Sequence, residues 1–215
     1  MPTYDAAQIG GLAADAAGMR VELKGRAAAP DGGPLTSPLT STPCVWYRTR
    51  TSVRTRETTR DSEGRSRTSE QERTLSQEAS EVAFALADDT GTVAVDPRGA
   101  NIDQPRQVAD RFERSQSGVT VNLGPVTLRG DGDVLGYRHQ EWVIREGDPL
   151  YVLAGAWGDP ARGEVRAPRT GEYLISLRSE EELVSSAGRW STGFAIAGAV
   201  LAVAAVALAV AGIIG

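Results

Sequence analysis

The sequence predicts a mainly β fold, antiparallel and barrel- or sandwich-like, with a short helix, followed by one C-terminal transmembrane α-helix. Three observations predict it. Residues 44–75 are rich in Thr, Arg and Ser and show little helical periodicity. Residues 82–95 alternate apolar and polar positions around a turn. The chain closes on FAIAGAVLAVAAVALAVAGIIG, Phe194 to Gly215, without one charged residue, although 24% of the whole chain is charged.

With 215 residues and 40% hydrophobic content the chain can bury a core, with room for one domain plus attachments. The division expected is a polar Ala/Gly-rich segment over 1–20, a β-rich domain over 21–188 and a membrane helix over 190–215. A net charge of -5, from 23 basic and 28 acidic residues, argues against a histone-like or acidic-tail protein. The single cysteine, Cys44, forbids an internal disulfide, and MPTYDAAQIGGLAADAAG lacks the basic start and apolar core of a secretory signal. The polar part is therefore expected on a reducing, cytoplasmic side.

In chain order, MRVELKG is an entry strand, and APDGGPLTSPLTSTP, residues 29–43, is a loop. CVWYRTRTSVRTRETTR and RSRTSEQERTL form a long two-stranded ribbon around the turn residues Asp61 to Gly64. Val82, Phe84 and Leu86 alternate, Asp88 to Gly91 turn, and Val93 and Val95 alternate again, which is a hairpin. Strands are expected near Val119–Leu123 and Val126–Leu128, then in the two apolar runs of GYRHQEWVIREGDPLYVLAGAW on either side of Glu-Gly-Asp-Pro, and last at Tyr173–Ile175. Ser179 followed by Glu182 has the spacing of a capping box, so a helix starts there and leads into the apolar segment.

As a helix, the uncharged segment rises about 33 Å, close to the thickness of bilayer hydrocarbon. Its strongly apolar positions are Phe194, Ile196, Val200, Leu201, Val203, Val206, Leu208, Val210, Ile213 and Ile214. Trp190 stands where an interfacial aromatic belongs, and Arg189 supplies the retained positive flank. A buried core helix would keep a polar stripe, and none is present. The expectation is a single-pass tail anchor with the polar domain on the cytoplasmic face.

The residues offer little for catalysis. Cys44 opens an apolar strand and reads as a small buried hydrophobe. His139 and Glu141 make H-x-E without the partner P-C-x-x-C of a zinc deaminase, and on a strand they read as a cross-strand or solvated pair. Asp88, Asp89 and Asp96 lack calcium-loop spacing. No metal, cofactor or catalytic residue is expected. The remaining candidate is electrostatic: Arg48, Arg50, Arg54 and Arg56 share one strand face, opposite Tyr47, Val53 and the threonines. Such a face could meet anionic lipid headgroups or nucleic acid, or the acids interspersed along the ribbon could pair with the arginines on a solvated surface; Tyr137, Arg138 and Trp142 are further partner- or lipid-binding candidates. Aromatics interleaved with the arginines are missing beyond Tyr47, which argues against nucleic acid.

PLTSPLTSTPCVWYR, FALADDTGTVAVDPRGA, GYRHQEWVIREGDPLYVLAGA and ISLRSEEEL, in this order, resemble the GIDE domain, also called the beside-a-membrane domain. The resemblance runs from about Val21 to Leu183. It implies a β-rich module held close to a bilayer by flanking transmembrane helices, followed in eukaryotic members by a RING that recruits conjugating enzymes. Two departures matter. Tyr4 to Met19 is too polar and glycine-rich for the usual N-terminal spanning helix, and one Cys with one His cannot supply a RING's eight ligands. The chain thus resembles a RING-less, prokaryotic relative of the MULAN/MAPL-type membrane E3 ubiquitin ligases. The function expected is a membrane-anchored, non-catalytic module that recruits an unidentified protein partner. A role in ubiquitin-like conjugation, or binding to anionic lipid, are the alternatives.

Overall fold

The computed structural model describes residues 3–12, 17–30, 32–60, 62–115, 121–123, 126–128, 134–157 and 163–178. The helix expected from Ser179 and the apolar segment Phe194–Gly215 lie outside them. Among the described residues no helix is long and apolar enough to cross a membrane.

The chain is mainly β. It opens with β1 (Thr3–Tyr4), α1 (Ala6–Gly10), β2 (Met19–Ala28), β3 (Leu35–Thr36), β4 (Pro43–Cys44), β5 (Trp46–Arg60) and β6 (Ser66–Ala79). It continues through β7 (Phe84–Asp88), β8 (Gly91–Val95), β9 (Asn101–Asp103), β10 (Arg106–Arg114), β11 (Val121–Leu123) and β12 (Val126–Leu128). The last described strands are β13 (Val134–Ile144), β14 (Pro149–Trp157), β15 (Glu164–Arg166) and β16 (Leu174–Ser176). The hairpin β7–β8 turns at Asp88–Gly91 as its alternation predicts, although Val82 stands exposed outside it.

Strand β2 pairs with β7 on one side and β14 on the other, so the order β2-β7-β8-β15-β14 closes on itself as a five-stranded barrel. Barrel is therefore the form taken where the sequence left barrel and sandwich open. Its interior follows the strand period of two: Val21 and Leu23, Phe84 and Leu86, Val93 and Val95, and Leu150, Val152, Ala154 and Ala156 are all buried. Gly25 stands at the corner beside Arg26, where β2 pairs with both β14 and β7. A Cβ there would stand 2.5 Å from the Ala87 carbonyl oxygen and 2.7 Å from Leu86 Cδ2, and the backbone oxygen cannot swing aside. Gly25→Ala is expected to lose about 1–3 kcal/mol of stability, read from the urea midpoint; an unchanged midpoint would show that the corner relaxes freely.

At one end of the barrel, α1 packs over the turn of β7–β8. At the other, Trp46 and Ile144 are buried in the same core and lead into a second sheet of order β10-β13-β5-β6. The long ribbon expected from the sequence is the β5–β6 half of this four-stranded sheet, with β13 as the other neighbour of β5. The difference arises because β13 lies far along the chain, and its pairing leaves no local pattern.

Candidate functional site: arginines stacked on tryptophan at the base of the second sheet

Registers define the two faces of the second sheet. Arg48 lies opposite Trp142, Arg50 opposite Gln140 and Ser52 opposite Arg138, and Phe112 of β10 lies opposite Arg138. The even-numbered arginines of β5 thus share a face with Trp142, Arg138 and Phe112, as strand alternation requires. Tyr137 belongs to the opposite face, with Val53. The expectation that aromatics do not interleave with the arginines is corrected here. Trp142 and Phe112 come from neighbouring strands, so the sequence of β5 does not show them, and Trp46 at the start of β5 itself adds a third.

Along this face the arginines divide into two groups. In the outer group Arg54 and Arg56 reach Glu70 at 3.1 and 3.7 Å, and Arg138 reaches Asp110 at 2.6 Å and Glu72 at 3.5 Å. Arg138 Nε also donates to Asp110 at 2.7 Å, and the guanidinium holds that carboxyl below its usual range. Phe112 crosses the space left by Gly136, where a Cβ would stand 2.8 Å from its ring, and lies 6.0 Å from the Arg54 guanidinium.

The inner group is different. Among the described residues neither Arg48 nor Arg50 has an ion-pair partner. Both instead stack on Trp142, 4.9 and 5.2 Å from its ring centroid, and Arg48 also lies 5.9 Å from Trp46. Arg50 Nε donates to Gln77 at 3.2 Å. Arg48 Nε is buried with no hydrogen-bond partner. Burial first, and the Arg50 charge second, weaken the hold of Arg48 on its proton. Register explains the contrast: β6 places Glu72 and Glu70 opposite Arg54 and Arg56, but Ala79 and Gln77 opposite Arg48 and Arg50.

A groove of about 280 Å³ opens beside this inner group. Trp46, Arg48, Gln77 and Ser80 line its sheet side, and residues 97–102, the loop after β8 and the start of β9, line the other. Arg98 in that loop is tied by its Nε and terminal nitrogen to Asp96, at 2.9 and 2.7 Å, so its charge is already met. Glu81 lines the rim and is exposed. Such a site can bind an anion.

On the opposite face Glu141 is fully buried beneath the hairpin loop joining β3 and β4. Ser37 Oγ donates to it at 2.8 Å, Thr40 Oγ1 at 2.5 Å, and the Leu39 and Thr40 amides at 2.7 and 3.0 Å. His139 shares this face but meets Thr51 instead, with Nδ1 3.2 Å from its hydroxyl. The two acid–base residues therefore do not pair, and Glu141 is not solvated. Cys44 is buried too, and burial with the Glu141 charge pushes its thiol up to about 11, so it stays protonated and unreactive at neutral pH. No group of metal-ligating side chains stands together among the described residues.

A second stack, outside the sequence-predicted set, has Arg166 and Arg169 at 4.0 and 5.8 Å from the Trp157 ring. Only its spatial assembly from separate segments marks it. Membership follows from comparison with protein families: the family described as "GIDE: E3 Ubiquitin ligase" matches residues 54–211. The chain belongs to the GIDE family. Three of the four segments that carry the resemblance lie inside the matched range, while PLTSPLTSTPCVWYR precedes it. In this GIDE chain the loop from that preceding segment closes over Glu141, which belongs to a matched one. No curated protein and no solved structure matches it.

Proposed function

We propose that this GIDE-family chain is a membrane-anchored, non-catalytic recruitment module, held by the single-pass segment 190–215 at the cytoplasmic face, with the inner arginines of the second sheet as its contact surface. The observation that carries the reading is the pair Arg48 and Arg50, held against Trp142 with no ion-pair partner among the described residues. An isolated domain of net acidic charge gains nothing from leaving two guanidinia unpaired beside an open groove; a partner that supplies the missing anion does. The uncharged segment is long enough to hold the module at a bilayer.

The test is co-purification from native membranes, using an N-terminally tagged full chain beside a variant lacking residues 190–215. A partner retained by both is the expected result. A partner found only with the full chain would instead make the apolar segment the recognition element.

The description of the family favours a second reading, service in a ubiquitin-like conjugation system. With one cysteine, itself buried, and one histidine, these residues would act there as an adaptor for a separate ligase. Conjugate formation by the purified chain with a panel of E2 enzymes would sink the non-catalytic reading.

A further inference from the structure

Three features of the inner arginines go beyond a general contact surface. Arg48 carries a buried N–H donor without an acceptor, a cost that a guanidinium cannot escape by losing its proton. Trp142 holds both guanidinium carbons about one ring, 4.9 and 5.2 Å from its centroid, a contact that uses none of their N–H donors and leaves the terminal nitrogens for an oxyanion. Arg48 and Arg50 are alternate residues of one strand, about 7 Å apart at the backbone, the same repeat at which an extended peptide presents every second side chain.

We propose that Arg48 and Arg50, with the adjoining groove, bind an extended acidic peptide of a partner protein, taking two of its alternate carboxylates. The inference rests on the recruitment reading and names the chemistry of the partner. The groove walls suit the intervening side chains, since Trp46, Ala79, Pro97 and Ala100 are apolar or small. A bilayer surface fits less well. It is planar where this site is concave, and it would meet Glu70, Glu72 and Asp110 farther along the same face.

The full chain, held in nanodiscs of neutral lipid, is titrated with a labelled, terminally blocked peptide of alternating Glu and Ala. Saturable binding is expected, with affinity reduced about tenfold or more by Arg48→Gln and by Arg50→Gln. Arg54→Gln, which removes an arginine already paired on the same face, should change it less than about threefold. Near-UV circular dichroism checks folding, and Arg50→Gln carries the test if Arg48→Gln unfolds. Equal binding of the matching Gln/Ala peptide overturns the inference, as does an equal loss in Arg54→Gln. So does binding of inorganic phosphate, or of anionic-lipid vesicles, without binding of the acidic peptide. A partner recovered in the co-purification but retained by Arg48→Gln and Arg50→Gln sinks the acidic-peptide inference and leaves recruitment standing; the absence of any partner sinks recruitment itself.

Discussion

Replacing Glu141 with alanine is expected to cost about 4 kcal/mol, since it strands the Leu39 and Thr40 amides and leaves the Ser37 and Thr40 hydroxyls only each other and Thr42 Oγ1. The carboxylate organises the whole loop: Ser37 also accepts from the Thr42 amide at 3.1 Å, and Ser41 is held in the left-handed region, with φ 55. Losing the hub releases all of these. Burial alone would raise the Glu141 pKa, but the bonds from Thr40, Leu39 and Ser37 outweigh it and hold the carboxyl below its ordinary value. A carboxyl depressed in the folded state contributes stability above the ordinary glutamate value of about 4.3, and that contribution fades as pH falls through the folded value. Denaturation across an acid pH series should therefore show a smaller acid-induced loss in Glu141→Ala than in the parent. A loss of less than about 1 kcal/mol at neutral pH would mean that water or a rearranged loop replaces the carboxylate.

How much could be read in advance depended on how far apart the partners stand in the chain. The β7–β8 hairpin was legible because its strands alternate and the turn between them is local, with Asp88 Oδ1 accepting from the Thr90 and Gly91 amides at 2.7 and 3.1 Å. The common face of Arg48, Arg50, Arg54 and Arg56 was legible for the same reason, the period of one strand. Its division into paired and unpaired arginines was not, because it depends on which residues of β6, β10 and β13 lie opposite. Trp142 meets Arg48 from a strand that single-sequence patterning cannot align with β5. Glu141 misled for a related reason: next to His139 in sequence it looks like half of a polar pair, and only the fold brings the 37–42 loop over it. The barrel was equally hidden, since closure rests on the double pairing of β2 at Arg26, with Pro149 on one side and Ala87 on the other.

The N-terminal residues carry the second large effect: Ile9→Ala is expected to cost about 3 kcal/mol. Residues 1–20 read as a polar attachment, yet Ile9 is fully buried and belongs to the barrel core. A five-residue helix has no stability of its own, so it must be held from outside. Asp5 caps it, accepting from the Gln8 amide at 2.8 Å. Asp88 and Thr90, at the β7–β8 turn, accept from the Ala6 and Ala7 amides at 2.8 and 3.1 Å. These bonds set Ile9 over the barrel end, so near Gly163 that a Cβ there would stand 2.8 Å from Ile9 Cγ2. Complete burial and the close approach of Gly163 leave little room for the neighbours to collapse into the space of a lost side chain, which places the cost near the middle of the range for such truncations. Ala7→Ser, at an exposed position of the same helix, should shift the urea midpoint little. If Ile9→Ala behaves like Ala7→Ser, the helix is an ornament on the barrel; if it lowers the midpoint as expected, the N-terminal residues are part of the domain's core.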